Sequence, residues 1–79
     1  VLENVLLWGG NFAFFVNGDG GSSISLTNVY IMEGTTRWGP YRIDPVNGKR
    51  PTIAKWENVR YVTIQNGQLV MGALIPRPY

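Results

Sequence analysis

Five carboxylates, Glu3, Asp19, Glu33, Asp44 and Glu57, are the only acidic side chains in the 79-residue sequence. Acid/base hydrolysis of a glycoside needs two of them at a fixed separation across the substrate. No spacing among the five argues for such a pair. Glu3 and Glu57 fall at equivalent places in an internal repeat, which suits a solvated strand face better than a catalytic dyad. Cysteine and histidine are absent. Thiol and imidazole nucleophiles, Ser-His-Asp triads and Cys- or His-based zinc sites are excluded with them. Gly18-Asp19-Gly20-Gly21-Ser22-Ser23 is glycine-rich, but it lacks the lysine and the following helix of a phosphate loop. A calcium site at Asn17 and Asp19 would hold a single carboxylate, too few for that ion. The expectation is a non-enzyme with no metal and no cofactor.

The aromatic residues offer a different chemistry. There are three Trp, four Tyr and three Phe. Trp38, Tyr41 and Arg42 lie in an irregular stretch rich in Gly and Pro. Exposed rings beside an arginine make a platform for a sugar, whose C–H face stacks on the ring while polar neighbours take the hydroxyls. Trp, Tyr and Arg also dominate protein interfaces. The alternative is that Trp38 tucks under its own loop. Trp38, Tyr41 and Arg42 are the candidate ligand or receptor contact, with a cell-surface polysaccharide as the candidate partner. Trp8, Phe12, Phe14, Phe15 and Trp56 suit a core or an inter-subunit contact. Residues 1–36 carry a net charge of −3 and the remainder +5. The basic residues are spread singly apart from Lys49-Arg50, so nucleic acid is disfavoured as a partner.

These side chains must be positioned by strands. Ten glycines and five prolines punctuate the chain, leaving no room for long helices. Apolar or alternating runs predict strands over Leu2–Trp8, Phe12–Val16, Ile24–Met32, Trp56–Ile64 and Gln68–Ile75. Asn47-Gly48 is a tight-turn signal that would close a short hairpin from Tyr41-Arg42-Ile43, and Asn66-Gly67 turns the fourth strand into the fifth. Thr35–Thr52 reads as the longest irregular stretch. Pro76-Arg77-Pro78-Tyr79 reads as an extended tail that cannot sit in a central strand. No apolar run is long enough to span a membrane, and Val1–Leu7 has no basic n-region of a signal peptide. The length allows one small β domain, residues 1–79, and the absence of an initial Met reads as a piece of a longer chain. A domain of this size buries only about 60% of its unfolded surface, and oligomerisation is a common remedy.

A weak internal repeat is the most informative feature. Leu2-Glu3-Asn4-Val5 aligns with Leu26-Thr27-Asn28-Val29 and with Trp56-Glu57-Asn58-Val59. The asparagines are 24 and then 30 residues apart. Periods of this order mark solenoid-like architectures. Asparagine at a corner tolerates the left-handed conformation and bonds neighbouring backbone.

This pattern, carried by Leu2-Glu3-Asn4-Val5, Leu26-Thr27-Asn28-Val29-Tyr30-Ile31 and Trp56-Glu57-Asn58-Val59, resembles the coils of right-handed β-helix proteins. In particular it resembles the trimeric tailspike and tail-fibre proteins of bacteriophages. The resemblance implies an all-β fold of β-helix-like coils or an interdigitated trimeric β domain. It also implies a terminal, trimerising role in a virion tail outside the cell, with possible host receptor contact. In such a homotrimer Val5, Leu7, Val29, Ile31, Val59 and Tyr61 would be the inter-subunit apolar contacts. The second reading is a small monomeric β-barrel or sandwich that binds carbohydrate, peptide or single-stranded nucleic acid, with Arg37, Arg42, Lys49 and Arg50 lining the groove.

Overall fold

The structure is a computed structural model that describes residues 1–79. It is all-β, with six strands and no helix: β1 (Leu2–Leu7), β2 (Phe14–Gly18), β3 (Ser23–Met32), β4 (Tyr41–Pro45), β5 (Thr52–Gln65) and β6 (Gln68–Leu74). β1, β3, β5 and β6 form one sheet in that order, and β2 and β4 form another. β1–β3, β3–β5 and β2–β4 pair in parallel, while β5–β6 is an antiparallel hairpin. Parallel neighbours need crossovers. Here the β1-to-β3 crossover carries β2 and the β3-to-β5 crossover carries β4, so each passage of the chain lays equivalent strands side by side.

The repeat in the sequence is the register of the sheet. Leu2, Leu26 and Trp56 form one row, Val5, Val29 and Val59 another, and Leu7, Ile31 and Tyr61 a third. The core lies between the two sheets. Ile24, Leu26, Val29, Ile31, Val59 and Ile75 are its buried members, with Phe14, Val16, Tyr41 and Ile43 packed on it from β2 and β4. Leu26 and Val29 both face this core although they are three residues apart. Strict strand alternation would put them on opposite faces. Asn28 resolves the conflict: its φ of 52° is left-handed, and the bend resets the alternation. Asn4 (φ 54°) and Asn58 (φ 52°) do the same on the flanking strands. The three side chains also bond one another. Asn28 Nδ2 donates to Asn4 Oδ1 at 2.8 Å, and Asn58 Nδ2 donates to Asn28 Oδ1 at 2.9 Å.

Beyond β6 the chain continues antiparallel along the first half of β5. Ile75 N donates to Val59 O at 2.8 Å, and Trp56 Nε1 donates to Ile75 O at 2.9 Å. The Tyr79 hydroxyl donates to the Pro51 carbonyl, and the Arg50 guanidinium lies 4.1 Å over the Tyr79 ring. The hairpin register shifts between Arg60 and Val62. Gly72 belongs there, because a Cβ would sit 3.0 Å from the Tyr61 carbonyl oxygen.

Three expectations are corrected. The four-stranded sheet keeps two edges, β1 and β6, so the closed barrel is overturned. Thr35–Thr52 is not all irregular: Tyr41–Pro45 is β4, because Tyr41 and Ile43 alternate inward against Phe14 and Val16. Asn47-Gly48 does make a tight turn, with Val46 and Lys49 bonded at 3.1 and 3.0 Å, but it closes no hairpin with Tyr41-Arg42-Ile43, whose partner is β2. The molecule measures 46 × 23 × 16 Å, long for its mass.

Candidate functional site

Trp38, Tyr41 and Arg42 do not form one platform. Tyr41 and Arg42 are adjacent on β4 and therefore face opposite sides. Tyr41 points inward, its ring stacked on Phe14 at 5.4 Å and edge-on to Trp56 at 5.4 Å. Burial, and secondarily the neighbouring Tyr61 phenol, push its pKa above 10.0. Arg42 points outward, with Nε donating to Asp44 Oδ1 at 2.8 Å and the guanidinium 5.8 Å from the Phe15 ring. Trp38 stands apart and is 62% exposed. Its companions, Arg37 and Phe12, are residues that the sequence reading did not group with it. The Arg37 guanidinium sits 5.4 Å from the Trp38 ring, and the Phe12 ring meets it edge-on at 6.0 Å. Backbone pairing brings them together: Arg37 N donates to Gly10 O and Trp38 N to Asn11 O, both at 2.9 Å. That pairing has no sequence signature.

The apolar residues expected between subunits are also placed differently. Val29 and Ile31 are fully buried and Val59 nearly so, all within the chain's own core. Val5, Leu7 and Tyr61 pack against that core. One chain buries this set against itself, because β2 and β4 form a second layer over it.

Apart from Val1, Trp8, Phe15, Trp38 and Val70, the large apolar side chains left exposed lie on the opposite face of the same sheet. One row crosses all four strands: Leu6, Tyr30, Arg60 and Leu74. The next holds the exposed Met71 beside Met32 and Val62, which are buried, and a third pairs Ile64 with Leu69. Leu6, Ile64, Leu69, Met71 and Leu74 are all more than 40% exposed. β6 is exposed along its whole length. Arg60 Nε is buried among these residues with no hydrogen-bond partner. Total exposure, 4987 Å², is close to the roughly 4,800 Å² of an ordinary monomer of 8.8 kDa. The distribution is therefore the unusual feature. A sequence signal for this face did exist: Gln68–Leu74 carries no charge on either alternating set, as a strand covered on both faces would.

The carboxylates are engaged locally or dispersed. Asp44 is paired with Arg42, Glu57 lies 3.8 Å from Lys55, and Asp19 Oδ1 accepts from Gly21 N at 2.9 Å within its own loop. Glu3 and Glu57 share a row with Thr27 between them, about 10 Å apart by two strand spacings. No helix is long and apolar enough to cross a membrane.

No family model matches the chain, and no curated protein or solved structure matches it.

Proposed function

We propose that this chain is a non-catalytic structural module: three turns of a β-helix-like coil that associate with two further copies, as the terminal, trimerising domain of an extracellular spike or fibre of the bacteriophage tail type. The in-register parallel strands and the asparagine ladder support the coil. The observation that carries the association is the outward apolar face running across β1, β3, β5 and β6. Burying Leu6, Ile64, Leu69, Met71 and Leu74 between copies removes that face from water and covers the free edge of β6. Association thus uses the outer face of the sheet, while Val29, Ile31 and Val59 hold each protomer together.

Light scattering on a sizing column tests this. The expected mass is near three times 8.8 kDa and persists at low micromolar concentration. Leu69→Lys combined with Met71→Lys should yield a monomer with an unchanged far-ultraviolet spectrum, since both side chains are half exposed in the protomer. A wild-type protein that is monomeric at tens of micromolar overturns the proposal.

Receptor contact has its own support. Trp38 offers an open ring beside Arg37 and Phe12. The proposed contact is with a polysaccharide of the host surface, centred on these three residues rather than on Tyr41 and Arg42. Trp38→Ala is expected to weaken binding to a responsive glycan about two- to tenfold, the worth of one aromatic contact. The unfolding midpoint should not move. Unchanged binding would overturn the contact.

A further inference from the structure

The two ends of the strand stack are built differently. At the β5 end, β6 and the tail that continues it lie along the last parallel strand, Ile75 is buried against the core, and Pro76 and Pro78 present no N–H to a further strand. That end is closed. At the other end β1 pairs only with β3 and β2 pairs only with β4. Both outer edges are bare. The asparagine ladder has a direction that ends there as well. Each Nδ2 donates to the Oδ1 of the asparagine one turn earlier, and Asn4 Nδ2 is left with no acceptor. Between the two bare strands opens an apolar cleft of about 200 Å³, lined by Val1, Leu2, Phe14, Phe15 and Val16, with Ile24 and Leu26 also in its walls.

We infer that the bare β1/β2 end is a docking surface for one further turn of the same kind: a pair of strands parallel to β1 and β2, carrying an asparagine above Asn4 and apolar side chains above Leu2, Val5 and Leu7. The geometry sets each requirement. A parallel strand seated about 4.8 Å from β1 takes its free N–H and C=O groups. An asparagine at the matching position offers its Oδ1 to Asn4 Nδ2 and extends the ladder by one rung. Apolar side chains at the flanking positions close the cleft. An antiparallel partner satisfies the backbone but not the asparagine. A second copy of this chain cannot supply the turn head to tail, because the strand it would have to offer is β6, which runs antiparallel to the stack and carries no asparagine. The inference rests on the coil reading above and is independent of the trimer.

The test is a chain in which a second copy of Val1–Ile24 is fused directly before Val1. The added 24 residues match the spacing from Asn4 to Asn28, so the new turn falls in register. The expected result is a single cooperative unfolding transition with its midpoint raised by roughly 5 °C or more. The denaturant m-value should rise about 1.3-fold, in proportion to length. The β1 amides should become protected from hydrogen exchange, and the Asn4 side-chain amide resonances should shift. Asn→Ala in the added copy, at the position matching Asn4, should remove that shift and part of the gain. Two separate transitions, or β1 amides that exchange as fast as in the parent chain, overturn the inference. Light scattering on both chains separates the two claims. A monomer that accepts the added turn overturns association alone, and a trimer that rejects it overturns the docking surface alone.

Discussion

Ile31→Ala is expected to destabilise the protein by about 2–5 kcal/mol, the cost of a buried aliphatic truncation plus the cavity it leaves. Ile31 has no exposed surface and sits on the central strand β3, between Leu7 and Tyr61 in its row. Neither neighbour can collapse into the space, because each is held in register by its own strand. A domain of this length has about 4–12 kcal/mol of stability in total. The substitution therefore removes a large part of it, and the thermal midpoint should drop by ten degrees or more. Urea denaturation followed by tryptophan fluorescence reads the effect. Leu69→Ala is the control, since Leu69 is half exposed on the outer face. Measured on dilute protein it should cost less than about 0.5 kcal/mol. A loss below 1 kcal/mol for Ile31→Ala would mean that the layer formed by β2 and β4 does not seal this row.

Asn28→Val should be comparably damaging, for another reason. Asn28 combines a left-handed backbone with two ladder hydrogen bonds, one to Asn4 and one from Asn58. A β-branched residue at φ 52° costs roughly 1–2 kcal/mol in backbone strain. The two bonds are solvent-exposed, so each is worth about 0.5–1 kcal/mol, the lower part of the usual range. The expected sum is about 2–4 kcal/mol in denaturant unfolding. Asn28→Gly separates the contributions, because glycine accepts the backbone but makes no ladder bond. It should retain a loss of about 1–2 kcal/mol. Asn66 provides the comparison: it has the same φ of 52° in the β5–β6 turn and takes no part in the ladder. Asn66→Gly is expected to lie within about 0.5 kcal/mol of wild type. Equal values for Asn28→Gly and Asn66→Gly would show that the ladder adds nothing to the conformational preference.

Both results bear on the outer face. If the inward rows and the asparagine bends carry protomer stability, then Leu6, Ile64, Leu69, Met71 and Leu74 are free to serve association. Substitutions there should change mass and leave the protomer's secondary structure intact.

Much of this architecture was legible in the residues alone. Glycine and proline spacing excluded helices, and β-branched and aromatic runs predicted β1, β3, β5 and β6 to within a few residues of their ends. The Leu-x-Asn-Val repeat contained the parallel register, because rows of like side chains are what in-register stacking requires. Asparagine at the bend was legible too, being the residue other than glycine that best tolerates a left-handed backbone. Facing was decided only in three dimensions. Each left-handed asparagine resets the alternation, so counting by twos along β3 or β5 cannot tell which set enters the core. β5 carries charge in both alternating sets and β6 in neither, so composition could not choose either. The second layer made the choice: β2 and β4 cover Val29, Ile31 and Val59, and leave Leu6, Ile64 and Met71 in water. β4 itself was hidden among prolines and glycines, because its pairing is with a strand 27 residues earlier (Phe14 with Tyr41) and no local pattern encodes such a partner. Strand alternation separates Tyr41 from Arg42, and the pairing of Gly10 and Asn11 with Arg37 and Trp38 brings Phe12 to Trp38. Local chemistry thus determined which segments become strands and where they bend; the contacts between distant segments decided which faces are buried and which remain to meet a partner.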